Sequence, residues 1–145
     1  MNDLKSMRAD FADGFGGEIF YAEDAGFDQK RAVWNAMINR RPAVIARCRD
    51  ARDVQTAVRH AVACDLPISI RGGGHNVAGH AVCDNGVMID LSLMRRVEVD
   101  ASKRIANVDG GALWQDVDTA TQAHGLATKA RIRFANDAAG LPGKG

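Results

Sequence analysis

A glycine-rich segment contains the residues best suited to chemistry in this sequence. Residues 71–80 read Arg-Gly-Gly-Gly-His-Asn-Val-Ala-Gly-His and directly follow an apolar run that ends at Ile70. Because glycine has no Cβ, consecutive glycines let several backbone N–H groups turn toward one point and let an anion approach within hydrogen-bonding distance. A phosphate group is the natural ligand of such a turn. A flexible turn between two strands, without any ligand, explains the glycines equally well.

The segment does not match the two common phosphate-binding motifs. A P-loop requires Gly-Lys-Ser/Thr, and none follows Gly74. The dinucleotide-binding fingerprint requires a third glycine, and Val77 stands in its place. His75 and His80 do not form a zinc site either, because structural zinc normally takes four ligands and no Cys, Asp or Glu stands beside them at ligand spacing. We therefore predict no metal site.

Two helices are predicted ahead of the first buried strand. Apolar residues at helical spacing predict a short leading helix over residues 3–13 and a longer helix over residues 27–39. Pro42 ends any continuation of the second helix. Within it, Trp34 is expected to anchor the helix on the core, since aromatic residues at this spacing mostly serve packing.

Residues 43–70 have the pattern of a β-α-β unit. A short apolar run over residues 43–47 predicts a strand, and Asp50 then supplies an N-cap for a helix. A second strand is predicted from the alternation over residues 66–70, and such units build parallel sheets with right-handed connections. The helix between them carries five apolar side chains on one stripe: Val54, Ala57, Val58, Ala61 and Val62.

Three more strands and a helix are predicted after the glycine-rich segment. The strands cover residues 87–91, 97–100 and 105–109, and the last two form a hairpin. The helix covers residues 112–124 and ends at Gly125. The whole order describes a mixed α+β domain.

Composition excludes several classes of protein. With 145 residues, 46% of them hydrophobic and 26% charged, the chain is neither a disordered polyelectrolyte nor a large two-domain enzyme. A formal net charge of +1 disfavours nucleic acid and anionic membranes as partners. The sequence shows no apolar stretch long enough to cross a bilayer and no signal peptide, which predicts a cytoplasmic protein. The three cysteines, Cys48, Cys64 and Cys83, lack Cys-x-x-Cys spacing, so buried free thiols are expected.

The glycine-rich segment and its surroundings resemble a known family. The run RGGGHNVAGHAVCDNGVMIDLS is preceded by RRPAVIARC and continued by RVEVDASKRIANVDGGALWQDVDTATQAHGLAT. Together these are similar to the FAD-linked oxidases of the vanillyl-alcohol oxidase and p-cresol methylhydroxylase (PCMH) superfamily, and most to bacterial relatives of berberine bridge enzyme. The resemblance spans residues 17–128. It implies the N-terminal part of a PCMH-type FAD-binding domain: a β-α-β unit, then a small mixed sheet and a helix.

The resemblance also implies a cofactor and its ligands. In that family the glycine turn wraps the pyrophosphate of FAD with main-chain amides, and the histidine that closes the turn is bonded covalently to the 8α-methyl of the flavin. His75 is accordingly the expected attachment residue. The implied activity is hydride transfer from an alcohol or sugar-type substrate to flavin N5, and no residue is assigned as the catalytic base. Carried over by position, the cofactor-binding residues are Arg71, Gly72, Gly73, Gly74, His75, Asn76, Gly79 and His80.

The family pattern ends at Thr128. Residues 129–145 show neither helical nor strand periodicity and end in a Gly/Pro cluster, which predicts a non-homologous, disordered tail. The sequence thus divides into a leading helical segment (1–40), a partial PCMH-type domain (41–128) and the tail. Because the rest of the family's flavin site is missing, we expect a truncated or frameshifted remnant with little or no turnover.

Three functional hypotheses remain open at this point. The first is an FAD-linked oxidoreductase. The second is a non-catalytic FAD-binding fragment or half-domain that needs a partner chain, and an uncovered sheet edge would favour its self-association. The third is a phosphate-binding or nucleic-acid-binding module, which depends on the glycines alone and is disfavoured by the net charge.

Overall fold

The computed structural model describes Phe11 and residues 14–128. The predicted leading helix over residues 3–13, apart from Phe11, and the predicted tail lie outside these described residues. The elements are β1 (Glu18–Tyr21), α1 (Phe27–Arg31), β2 (Val44–Arg47), α2 (Ala51–Ala63), β3 (Ile68–Arg71), β4 (Val87–Asp90), β5 (Val97–Asp100), β6 (Ile105–Val108) and α3 (Trp114–Gln122).

The strands form two sheets. The larger sheet has the order β1-β2-β4-β3, in which β1 pairs antiparallel with β2, while β4 runs parallel to both β2 and β3. Strands β5 and β6 form an antiparallel hairpin. The predicted α+β class and the parallel β-α-β unit are therefore confirmed.

Both faces of the larger sheet are covered near its centre. Strand β4 is buried over its whole length because it lies between two parallel neighbours. One core cluster packs α2 and Phe11 on the face that carries Val87 and Ile89. A second cluster packs Phe27 of α1 and Val82 on the opposite face, against Ile45 and Met88.

Helix α2 begins as its sequence predicts. The Asp50 carboxylate accepts hydrogen bonds from the backbone N–H groups of Arg52, at 2.8 Å, and Asp53, at 3.1 Å. The buried stripe is narrower than predicted, since Ala57 and Ala61 are buried while Val62 is 72% exposed.

The second predicted helix is much shorter than its apolar spacing indicated. Helix α1 ends at Arg31, and the chain is extended at Ala32. In a continuing helix the Trp34 N–H would donate to the Lys30 carbonyl. Instead it donates to the Gly74 carbonyl at 3.0 Å, and the Arg71 side chain donates to the Lys30 carbonyl. Trp34 is consequently 68% exposed, so the prediction that it anchors a helix on the core was wrong.

The three cysteines are free thiols, as predicted, but the expected burial is found only for Cys48, because Cys64 and Cys83 are partly exposed. Cys48 is fully buried, and burial, with a smaller contribution from nearby Asp53, raises the pKa of its thiol to about 12. Among the described residues, no cluster of His, Cys, Asp or Glu could hold a metal ion. No helix in the described part of the chain combines the length and the apolar character needed to cross a membrane.

Candidate functional site

The glycine-rich turn, residues 72–82, leaves the sheet at the carboxyl end of β3. The carboxyl ends of the parallel strands β2 and β4 meet at the same edge, where open α/β sheets bind their ligands. Gly74 and Gly79 both have φ of +77°, a left-handed conformation that other residues adopt at a cost. A Cβ at Gly79 would also lie only 2.8 Å from Ile38. The path of the turn therefore depends on these two glycines.

The turn leaves a run of backbone donors open. The N–H groups of residues 72–78 have no hydrogen-bond acceptor among the described residues. Gly72 and Gly74 are nevertheless buried. Buried backbone donors are nearly always paired, because an unpaired one costs about 1–3 kcal/mol. These N–H groups are therefore free to donate to an external acceptor.

The segment of residues 30–41, which runs from the end of α1 through a turn at residues 35–38, braces the glycine-rich turn; we refer to it as the strap. In addition to the Trp34 bond, the Asn35 Nδ2 donates to the Val77 carbonyl at 2.9 Å. The Arg40 guanidinium donates to the carbonyls of Gly79, at 3.0 Å, and Val82, at 3.2 Å. The strap thus binds carbonyl groups of the turn, and the N–H groups of the same peptide units point away from the strap.

Arg71 links the strand, the strap and the turn. Its Nη1 donates to the Lys30 carbonyl, and its Nε is buried without a hydrogen-bond partner in the described chain. The Nε lies 3.1 Å from the position that a Cβ would take at Gly74. A cationic side chain is therefore packed directly against the backbone of the turn, where it favours a bound anion.

His75 presents a side chain without a hydrogen-bond partner among the described residues. It is half-buried, and its ring lies 6.3 Å from the indole of Trp34, measured between ring centroids, with 35° between the planes. Since no partner occupies either ring nitrogen, the imidazole keeps a nitrogen able to act as a nucleophile when it is neutral.

The remaining predicted site residues close the far side of the turn. The Asn76 Oδ1 accepts from the His80 N–H at 3.1 Å, and the Asn76 carbonyl accepts from the Gly79 N–H at the same distance. Asn76 therefore shapes a local turn, and His80 is exposed. Arg71, the three consecutive glycines and His75 precede this local turn in the chain, and Arg71 packs against Gly74.

Sequence reasoning missed the strap. Trp34 and Asn35 lie in the predicted helix over residues 27–39 and Arg40 follows it, although the donors of all three residues serve the glycine-rich turn. The available signal was Asn35 together with Asn39, since asparagine is a poor residue for a helix interior and often bonds to nearby backbone.

A separate cavity of about 420 Å³ lies between the β5-β6 hairpin and α3. Its lining includes Ile105, Val117 and Thr128 but no residue of the glycine-rich turn. Trp114 also lines it, and the Nε1 of Trp114 is buried without a hydrogen-bond partner in the described chain. This cavity is therefore independent of the turn.

Comparison with known proteins identifies the family of the chain. The family described as FAD binding domain matches residues 42–138, more than half of the chain. (R)-6-hydroxynicotine oxidase of Paenarthrobacter nicotinovorans is 40% identical over 111 residues, which are 77% of this chain and 24% of that protein. An uncharacterized FAD-linked oxidoreductase of Bacillus subtilis is 30% identical over 114 residues, 79% of this chain and 25% of that protein. The chain spans about a quarter of the length of these curated relatives.

Solved structures show the same fold. The crystal structure of 6-hydroxy-D-nicotine oxidase from Arthrobacter nicotinovorans superposes with a TM-score of 0.74 at 38% identity, covering 77% of this chain and 24% of that one. Glucooligosaccharide oxidase from Acremonium strictum superposes with a TM-score of 0.67 at 28% identity, covering 80% of this chain and 26% of that one. Berberine bridge enzyme-like 1 from Physcomitrella patens shares the fold at 20% identity, with a TM-score of 0.68 over 72% of this chain and 23% of that one. The resemblance drawn from the sequence is confirmed, with FAD as the family's cofactor, and the chain belongs to the FAD-binding-domain family of FAD-linked oxidoreductases.

Proposed function

We propose that this chain forms the N-terminal wall of the flavin site of an FAD-linked oxidoreductase. In this proposal the glycine-rich turn binds the diphosphate of FAD, and His75 is the residue that attaches the flavin. The observation that carries the proposal is the run of open backbone amides over residues 72–78.

The turn suits a diphosphate for three reasons. Open amides of a glycine turn donate hydrogen bonds to phosphate oxygens, and the first three of the run belong to glycines, which have no side chain in the way. The segment between Asp65 and Asp84 contains no acidic residue, so no carboxylate of the turn itself competes for these donors. Arg71 adds a positive charge against the backbone of Gly74. The residues present therefore fit a doubly charged anion.

His75 suits covalent attachment because its imidazole has no competing partner in the described chain and the residue lies within the run of open amides. One solved relative, the glucooligosaccharide oxidase, has been characterised for its 6-S-cysteinyl, 8α-N1-histidyl FAD. By analogy we assign the single histidyl bond to His75. Attachment replaces one C–H and one N–H bond by a C–N bond, so it requires a two-electron oxidant, for which dioxygen serves.

When bound, flavin supplies the hydride-accepting N5 for oxidation of an alcohol or sugar-type substrate and then passes the electrons to dioxygen or another acceptor. The described residues bind and orient one side of the cofactor. Because the chain spans about a quarter of its relatives, we also propose that it alone turns over slowly or not at all. A non-catalytic FAD-binding half-domain that needs a partner chain is the second candidate, and the same observation favours it.

The test is attachment of flavin to the purified chain. We expect yellow in-gel fluorescence after denaturing electrophoresis of protein produced with ample riboflavin, together with a mass increase of one FAD. His75→Ala should abolish both signals. His124→Ala, an exposed histidine beyond α3, is the matched control and should retain them. A colourless wild-type band of unmodified mass would reject His75 as the attachment residue, and wild-type protein that also fails to bind FAD in solution would reject the proposed function.

A further inference from the structure

We infer that Asn35 is a positioning residue for the diphosphate of FAD: its side chain holds the Val77 carbonyl so that the N–H of Ala78 faces the phosphate groups. The inference deepens the proposed function and rests on it. It concerns a strap residue that touches the turn from the side opposite to the open amides.

Peptide geometry connects the strap to the amides. In a trans peptide unit the C=O of one residue and the N–H of the next point in opposite directions, and the described residues contain no cis peptide. The Trp34 N–H binds the Gly74 carbonyl, which turns the His75 N–H away from the strap. The bond from Asn35 to the Val77 carbonyl turns the Ala78 N–H away in the same manner. Both amides belong to the open run.

A third strap contact follows the same rule. Arg40 binds the Gly79 carbonyl, so the next N–H, that of His80, also points away from the strap. That N–H has an acceptor, the Asn76 Oδ1 at 3.1 Å. The strap therefore orients three amides of the turn, of which one is used within the chain and two are left for a ligand.

Asn35 is the strap residue whose side chain can be tested cleanly. Its Oδ1 accepts from the Met37 N–H at 3.1 Å, which fixes the orientation of the carboxamide and leaves the Nδ2 to donate to Val77. Aspartate has the same shape and keeps the Met37 bond, but it has no donor for the Val77 carbonyl. Asn35→Asp thus removes one bond and leaves the other.

The experiment is an NMR titration of the whole chain with ADP, which carries the diphosphate without the flavin, and with riboflavin, which carries the flavin without phosphate. In wild-type protein we expect the His75 and Ala78 amide signals to move on addition of ADP. In Asn35→Asp we expect ADP to bind about tenfold more weakly and the shift of Ala78 to be lost, while the response to riboflavin stays unchanged. Asn39→Asp places the same charge on the same strap without a contact to the turn and should behave as wild type.

The outcomes separate the two proposals. Equal ADP binding by wild type and Asn35→Asp would overturn the role of Asn35 and leave the proposed function standing. A tenfold loss in both Asn35→Asp and Asn39→Asp would assign the effect to charge and overturn the inference as well. Absence of any ADP or FAD response in wild type would overturn the proposed function and this inference with it.

A second variant covers the case in which Asn35→Asp fails to fold. Asn35→Ala removes the same donor without adding charge, and it should weaken ADP binding by a similar factor. If neither variant gave the dispersed spectrum of a folded chain, Asn35 would be a residue of general stability and the inference would fall.

Discussion

Two loop regions of this protein differ in whether the chain itself supplies acceptors for their backbone amides. Around the β5-β6 hairpin, carboxylates of the chain itself accept hydrogen bonds from loop N–H groups at 2.8–3.1 Å. The pairs are Asp90 with the N–H of Ser92, Asp109 with that of Arg96, and Asp116 with that of Leu113. In the glycine-rich turn, the amides of residues 72–78 find no acceptor among the described residues.

The difference follows from residue type. Aspartate is frequent in the loops of this chain and commonly caps nearby amides, but none stands between Asp65 and Asp84. In a loop that supplies its own carboxylates, which we call closed, the amides are already paired and the hydrogen bonds stabilise the fold. A loop of glycines without carboxylates keeps its donors open to an anion from outside, and in the proposed function that anion is the diphosphate of FAD.

Substitution of a glycine whose left-handed conformation the turn requires should have the largest effect on stability and on FAD binding. Gly79→Ala places a Cβ in a left-handed conformation and 2.8 Å from Ile38, so we expect a loss of about 2 kcal/mol in the free energy of unfolding and the loss of FAD binding. Urea unfolding and FAD fluorescence measure the two effects. Gly26→Ala is the control, since Gly26 has φ of +85° but nothing within 4 Å of its Cβ position.

The control separates strain from collision. Gly26→Ala should cost only the conformational part, about 1 kcal/mol, and should retain FAD. Equal losses of stability in both variants would show that the packing of Ile38 on Gly79 contributes nothing to the turn.

A carboxylate introduced into the glycine-rich turn should accept hydrogen bonds from the open amides, as the carboxylates around the β5-β6 hairpin do. Val77 is 68% exposed, so Val77→Asp can be accommodated, and its carboxylate should compete with phosphate for the amides and repel it. We expect FAD or ADP to bind at least about tenfold more weakly, a loss of about 1.4 kcal/mol, with little change in stability. Calorimetric titration measures the affinity.

Two controls define this result. Val77→Asn has a similar shape without the charge and should weaken binding less, and Val62→Asp adds the charge on exposed α2 surface and should leave binding unchanged. Unaltered binding by Val77→Asp would contradict the view that the missing carboxylate is what makes the turn a ligand site.

The exposed edge of the larger sheet predicts self-association. Strand β3 has no neighbour on its outer side within the described sheet, and Ile70, next to its last residue, is 59% exposed. Such edges pair with other chains unless charge prevents it. We expect wild-type protein to show concentration-dependent association in light scattering and Ile70→Lys to reduce it, while a wild-type monomer at all concentrations would contradict this.

Local sequence signals were enough to predict the strands, the capped helix α2 and the position of the glycine-rich segment. Asp50 lies next to the amides it caps, and the apolar runs of β2 and β4 mark buried parallel strands. The glycine-rich segment was located by its composition. Its open amides were not visible in the sequence, since they depend on where every nearby acceptor is placed.

The second predicted helix shows what a local sequence pattern cannot predict. Residues 27–39 have helical spacing, but the bond between Lys30 and Trp34 that would continue the helix is replaced by bonds to Arg71 and Gly74, some forty residues away in sequence. Long-range partners outweighed propensity at this point. The assignments of cofactor-binding residues, of His75 as the attachment residue, of the domain boundaries and of a cytoplasmic location stay predictions.

A substitution in the loops around the β5-β6 hairpin should have the smallest effect, mainly on the pH dependence of the free energy of unfolding. The Arg95 guanidinium, hydrogen-bonded to Asp116 at 2.6 and 2.9 Å, holds the pKa of that carboxyl below its ordinary value, and the Leu113 N–H adds to the effect. Since the folded-state pKa is depressed, the pair stabilises the fold above the unfolded-state pKa of about 3.9, and this contribution is lost as the pH falls through the lower folded-state value.

Asp116→Asn should therefore lower the free energy of unfolding by about 1 kcal/mol at pH 7, a modest figure because Arg95 is half-exposed and solvent screens the pair. The difference between wild type and variant should shrink toward pH 2 in urea unfolding, and FAD binding at pH 7 should be unchanged in both. A variant that lost FAD binding without losing stability would break the comparison, because it would show that the loop with its own carboxylates also serves the ligand.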